Sequence, residues 1–191
     1  QMAIEEGYRH IDTAQAYENE KDVALGLKNA GIKREEVFIT SKVAVSNILS
    51  RRTYESVMRS LEALDTDYID LFLIHWPATN YLDAWEALIK LYEEKRFRAI
   101  GVSNFEPHQL KVLEDHGLMT PAVNQIELHP KFQQKIVKPY CENKGIVIEA
   151  WSPLGGRDNL LINEPVILKI ADKHGKTGAQ VILRWHLQTG N

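Results

Sequence analysis

One recurrence constrains this chain more than any other feature. Six short extended runs each end on a polar side chain, and each is followed by a stretch long enough for an amphipathic helix. The first run, starting at Gly7, ends on Asp12, with Tyr17 about one turn later. Residues 37–41 lead to Lys42, 71–74 to His75, 99–102 to Ser103 and Asn104, 121–124 to Gln125, and 146–150 to Trp151 and Ser152. Apolar strands alternating with helices specify a parallel sheet that is covered on both faces or closed into a barrel. Polar groups at the carboxyl end of every strand then gather on one rim, where (β/α) barrels carry their active sites.

The intervening stretches read as helices. Residues 20–31 have helical apolar spacing and end on Gly31, and 53–64 set Val57, Leu61 and Leu64 on one face. Residues 82–94 place Trp85, Leu88, Ile89 and Tyr92 in the core. Pro107 opens a helix to Asp115, and helices over 131–143, 165–174 and 180–188 complete the series. The chain begins on what reads as the last turn of a helix, stopped by Gly7, and closes on a helix stopped by Gly190 with no strand after it. Six βα units are visible where a closed barrel has eight. The expectation is therefore one α/β domain over 1–191, a (β/α)8 TIM barrel incomplete at both termini. Stretches 77–81 and 156–160 are the places where internal residues would most readily be missing.

Composition narrows the function classes. The chain has 191 residues, 44% hydrophobic and 26% charged, the proportions of a globular domain. A formal charge of -3 and the lack of a basic cluster argue against a nucleic-acid partner. No apolar run approaches the roughly 20 residues of a membrane span. The single cysteine, Cys141, has no partner for an internal disulfide, which fits a reducing cytoplasmic setting and a structural thiol.

At the rim, neither a GxGxxG turn, a phosphate-binding GxxxxGK[ST] loop nor a GxSxG elbow occurs. What remains is Asp12, Tyr17, Lys42 and His75, with the carboxamides of Asn104 and Gln125. A tyrosine titrates near about 10, so a neighbouring lysine ammonium is expected to lower that value and make the phenol a proton donor to a developing alkoxide. Asp12 would hold Lys42 charged and in place, and a neutral His75 would orient a carbonyl oxygen. Carbonyl reduction also needs a hydride donor, which no side chain supplies, so a nicotinamide cofactor is implied. Asn104 and Gln125 suit its carboxamide, and Trp151 its ring.

Several ordered motifs resemble the aldo-keto reductase family. Residues 7–14 (GYRHIDTA) with Glu20 resemble its first signature, and 99–105 (AIGVSNF) its second. Residues 70–77 (DLFLIHWP), 124–130 (NQIELHP) and 151–155 (WSPLG) are similarly family-like. The nearest likeness is to the small prokaryotic branch that includes 2,5-diketo-gluconate reductases. The resemblance implies a (β/α)8 barrel, NADPH at the rim, Tyr17 as general acid, Asp12 and Lys42 tuning it, and His75 orienting substrate. By the same likeness Ser103, Asn104, Gln125, Trp151, Ser152 and Leu154 bind cofactor, and Trp76 lines the substrate pocket. It implies a metal-free reaction on aldehydes and ketones, diketo sugar acids among them, by a cytoplasmic monomer. Two features depart from the pattern. Val43, Ala44 and Val45 follow Lys42 where the family often has a leucine and a tryptophan, and no basic strand-eight segment is present to grip a 2′-phosphate.

Two other readings stay open on sequence alone. His10, Asp12, His75 and His129 offer the ligand types of a metal-dependent barrel hydrolase, with His10 and Asp12 on one side of a strand. A non-catalytic barrel serving as a binding subunit is the other.

Overall fold

The computed structural model describes residues 1–156 and 161–191, which fall into two compact units, 1–122 and 123–191. In the first, a single helical turn α1 (Met2–Glu5) precedes β1 (His10–Asp12), α2 (Glu20–Asn29), β2 (Phe38–Val43), α3 (Val45–Leu49) and α4 (Thr53–Ala63). β3 (Ile69–Ile74), α5 (Tyr81–Glu93), β4 (Phe97–Ser103) and α6 (Pro107–Asp115) follow. β1 pairs with β2, β2 with β3 and β3 with β4, all parallel. Every strand end of this unit therefore faces the same way, so Asp12, Lys42, His75 and Asn104 share one edge.

β3 shows why the sequence takes this form. All six of its residues are buried, as expected for a strand covered on both faces. α5 packs against it, with Trp85, Leu88 and Leu91 buried, while α4 packs against the neighbouring β2, with Val57 and Leu61 buried, as is Leu64 just after it. Ile89 and Tyr92, expected in the core, are half-buried, because the buried face of α5 runs through Ala84, Leu88 and Leu91. The Trp85 indole donates to the Met119 carbonyl at 2.9 Å, so its polar atom is satisfied inside the core.

At the opposite, amino-terminal end of the strands sits a buried carboxylate. Asp70, fully buried, accepts from Arg34 at 2.7 Å, Arg98 at 3.0 Å and the Ile39 backbone N–H at 2.9 Å. Arg34 also stacks over the Tyr68 ring, 4.1 Å from its centroid. One side chain thus ties β3 to β2, to β4 and to the turn before β2.

In the second unit, β5 (Val123–Glu127) pairs parallel with β6 (Val147–Trp151), α8 (Pro165–His174) and α9 (Gly178–Gln188) fall where helices were expected, and α7 (Val137–Asn143) is shorter than expected. α9 is capped by the Thr177 hydroxyl, which accepts from Gln180 N–H at 3.2 Å. Gly178 is required there, since a Cβ would meet the Ile162 carbonyl oxygen at 2.1 Å.

Two expectations shift. The helix expected over 131–143 begins only at Val137: His129 and Phe132 form an antiparallel bridge, Gln134 has φ 52, and its amide donates to the Glu127 carbonyl at 2.7 Å. α3, at five residues too short to display a periodicity, was not foreseen. Residues 77–81 form a continuous turn into α5, through bonds from Ala78 N–H to Trp76 and from Tyr81 N–H to Ala78. Residues 157–160 of the stretch 156–160 lie outside the described residues. Among the described residues no helix is long and apolar enough to cross a membrane.

Replacing Asp70 by alanine removes three acceptor contacts at once and strands the buried Ile39 N–H. The expected cost is about 3 kcal/mol, read as a lower midpoint with an unchanged slope in urea unfolding.

Candidate active site

The carboxyl edge of β1 to β3 brings four of the expected residues together. On adjoining strands, His10 faces Thr40, with Nε2 to Oγ1 at 2.8 Å, and two residues further on Asp12 meets Lys42 in an ion pair. The two-residue repeat of a strand sets both pairs on one face. Lys42 is 1% exposed, and its ammonium also donates to the Thr13 carbonyl at 2.9 Å. Burying that charge is tolerable because a carboxylate and a carbonyl both face it.

Tyr17 closes a short 3-10 turn, Gln15–Tyr17, immediately after β1. Its ring lies with the centroid 5.3 Å from Lys42 Nζ and 5.7 Å from the His75 ring, at an interplanar angle of 82°. His75 follows the last residue of β3 and is half-buried. A phenol, an ammonium, a carboxylate and an imidazole thus come from the ends of three adjacent strands and the loop after the first.

One electrostatic expectation is corrected here. Burial pushes the Tyr17 phenol above its ordinary value, and the Asp12 carboxylate pushes it further the same way. Lys42 was expected to pull it down, but its ammonium is engaged by Asp12, and it is the carboxylate whose effect on the phenol adds to that of burial. His75 moves in the opposite direction: burial lowers its value, the Lys42 ammonium lowers it further, and Asp12 opposes. At neutral pH the site therefore holds a protonated phenol beside an uncharged imidazole.

Further along the same edge, Ser103 is buried at the end of β4 and Asn104 follows it with φ 61, a conformation asparagine tolerates. The Asn104 amide donates to the His75 carbonyl at 3.1 Å and to Ser103 Oγ at 3.0 Å, tying the end of β4 to the end of β3. Trp76 is about half exposed beside His75.

The remaining expected residues belong to the second unit. Gln125 is buried in β5, with its amide nitrogen donating to Glu149 on β6 at 3.0 Å. Trp151 ends β6 and is half-buried, as are Ser152 and Leu154. Ser152 has φ 48, and its carbonyl accepts from Gly155 N–H at 2.9 Å. The turn is anchored where His186 Nε2 donates to the Pro153 carbonyl at 3.1 Å.

Three of the four candidate metal ligands are otherwise engaged. His10 contacts Thr40, Asp12 contacts Lys42, and His129 contacts Glu127 at 3.3 Å. Among the described residues no three of His, Cys, Asp and Glu gather as a ligand set.

The sequence reading missed the role of Gln15. It stands just after the run 7–14, between Asp12 and Tyr17, yet no spacing rule marks it, since its four partners lie 29 to 45 residues away.

The chain belongs to the Aldo/keto reductase family, whose pattern it matches over residues 1–191. It is 50% identical to a 9,11-endoperoxide prostaglandin H2 reductase of Trypanosoma cruzi, covering 98% of this chain and 67% of that protein. It is 50% identical to a glyoxal reductase of Bacillus subtilis, covering 98% and 68%. Among solved structures, an aldo-keto reductase from a Medee basin deep-sea metagenome library superposes with a TM-score of 0.94 at 41% identity, covering 98% of this chain and 70% of the other. A putative 2,5-diketo-D-gluconic acid reductase B gives 0.92 at 34% identity, covering 99% and 67%. The fold class is α/β, and its six βα units are those of a (β/α)8 barrel. The family is one of oxidoreductases that use nicotinamide cofactors.

The electrostatics make a measurable statement independent of turnover. With tyrosine ring carbons labelled, the resonance lost in Tyr17→Phe titrates above the ordinary tyrosine value. In Asp12→Asn that midpoint moves down, because a charge that disfavours the phenolate is gone and the Lys42 ammonium is left uncompensated.

Proposed function

We propose that this protein reduces small aldehydes and ketones, using NADPH as hydride donor and Tyr17 as general acid. The observation that carries the reading is the convergence of Tyr17, Lys42, Asp12 and His75 at the carboxyl edge of three parallel strands.

A bound nicotinamide would supply hydride, two electrons and one proton's mass of hydrogen, to the carbonyl carbon. The chain supplies the rest. His75, neutral, hydrogen-bonds the substrate oxygen and fixes which face of the carbonyl is presented. As charge develops on that oxygen, Tyr17 Oη gives up its proton to it, so an alcohol leaves and a phenolate remains to be reprotonated from water. An alkoxide is a far stronger base than a phenolate, so this transfer runs downhill even from a phenol whose value is raised. The same rise keeps the phenol protonated at neutral pH, so the resting site holds the proton that reduction uses. Lys42 acts on the phenolate side of the cycle, and Asp12 keeps Lys42 in place.

The residues assigned to the cofactor fit its chemistry. A nicotinamide carboxamide offers one acceptor and two donors. Ser103 and the amides of Asn104 and Gln125 are groups that both donate and accept. Trp151 offers an aromatic face to the ring, and Ser152 and Leu154 follow it in the anchored turn. The choice of NADPH over NADH, and diketo sugar acids as substrates, rest on the resemblance to the family. Glyoxal and methylglyoxal, named for relatives in Bacillus subtilis and Escherichia coli, are suitable first substrates. Trp76, exposed beside His75, would wall the substrate side.

In Tyr17→Phe, kcat should fall by about 100-fold or more while the dissociation constant of NADPH is nearly unchanged. Carbonyl-dependent loss of cofactor absorbance and fluorescence titration read the two. Unchanged turnover would defeat the assignment of Tyr17, and no turnover of any aldehyde or diketone by the intact wild-type protein would favour a non-catalytic barrel. The reduction rate should hold level through neutrality. The acid limb lies below the usual histidine range, because His75 must be neutral and its value is lowered. The alkaline limb lies above the usual tyrosine range, because Tyr17 must be protonated and its value is raised.

A further inference from the structure

The turn that carries Tyr17 contains one side chain that the chemistry above does not use. Gln15 makes four hydrogen bonds through its amide, two at the oxygen and two from the nitrogen. Its Oε1 accepts from the Ala44 backbone N–H at 2.9 Å and from Asn47 Nδ2 at 2.8 Å. Its Nε2 donates to Ser60 Oγ at 3.0 Å and Ser56 Oγ at 3.2 Å. The orientation is dictated by the partners. The Ser56 hydroxyl spends its proton on the Thr53 carbonyl at 2.8 Å, and the Ser60 hydroxyl spends its own on Glu20 Oε2 at 3.1 Å, so both serines meet Gln15 as acceptors.

These partners matter because of where they stand in the chain. Ala44 follows the last residue of β2 and is two residues beyond Lys42, and Asn47 lies in α3. Ser56 and Ser60 lie in α4 and are nearly fully buried. The network continues to the residue before Lys42, since Glu20 Oε1 accepts from Ser41 Oγ at 2.6 Å. A single amide therefore fastens the turn bearing the phenol to the strand end bearing the ammonium.

We propose that Gln15 is a positioning residue: its amide sets the separation between the Tyr17 phenol and the Lys42–Asp12 pair, and thereby the efficiency of proton transfer, without touching substrate or cofactor. The proposal rests on the reading of Tyr17 as general acid. A side chain two residues from the acid can act this way because a displacement of about 1 Å in a reacting group costs on the order of 100-fold in rate.

The test compares wild type with Gln15→Met, which keeps the chain length and removes all four bonds, and with Asn47→Ala, which removes one. Three quantities are read: kcat with methylglyoxal, the dissociation constant of NADPH, and the titration of the Tyr17 ring resonance. In Gln15→Met, kcat should drop on the order of 10- to 100-fold with NADPH affinity nearly constant. The Tyr17 midpoint should fall toward the ordinary tyrosine value, because a phenol released from its site is better solvated. Asn47→Ala should move kcat and the midpoint the same way by less. A folded Gln15→Met in which either kcat or the Tyr17 midpoint matches wild type overturns the proposal, as does a loss of thermal stability with no kinetic change. If Gln15→Met fails to fold, Asn47→Ala decides by the same criteria. If the wild type itself reduces no carbonyl, the function proposed above fails, and the ring titration still decides whether Gln15 holds Tyr17.

Discussion

A buried ammonium organises this molecule. Lys42 is almost wholly out of water, and an ion so placed costs several kcal/mol unless its partners are arranged around it. The Asp12 carboxylate and the Thr13 carbonyl supply that arrangement, both at the end of β1. Meeting the requirement forces β1 and β2 into one register, with Asp12 opposite Thr40 and Lys42 reaching across. Once that is done, the loop after Asp12 delivers Tyr17 to the same edge. The pair that solves a solvation problem also sets the electrostatics of the phenol.

That dual use explains the direction of the titration shifts. A lone lysine beside a tyrosine would make the phenol more acidic. Here the lysine is already matched by a carboxylate, so burial dominates and the phenol keeps its proton more firmly. The imidazole is pushed toward its neutral form by the same burial and by the same lysine. A phenol that still holds its proton at neutral pH and an uncharged hydrogen-bonding ring are compatible with carbonyl reduction, since the alkoxide that forms is basic enough to take the proton from an unactivated phenol.

The two ends of the parallel strands divide labour. At the amino-terminal end, Asp70 gathers Arg34, Arg98 and a backbone N–H and holds β2, β3 and β4 together. At the carboxyl end, groups left over from strand pairing gather as the candidate site, and the Gln15 amide joins the first two loops. Rigidity below permits precision above, because a strand anchored at its start cannot slide along its neighbour without misplacing every group at its end.

The six strands and the onset of most helices could be read from the chain because they depend on local pattern: apolar runs, helical spacing, Pro107 at a helix start, Gly31 and Gly190 at stops. The rim residues were legible for the same reason, since a polar side chain closing an apolar strand stands out. Three features were not legible. α3 is too short for periodicity, the start of α7 is displaced by a bridge between His129 and Phe132, and the Gln15 network joins residues far apart in sequence. The chain order by itself thus determined which groups stand at the strand ends, because alternation of faces is a property of each strand alone. Only the tertiary structure decided the sign of the shift at Tyr17 and the tether that holds it, because charge compensation and hydrogen-bond closure depend on which distant residues meet in space.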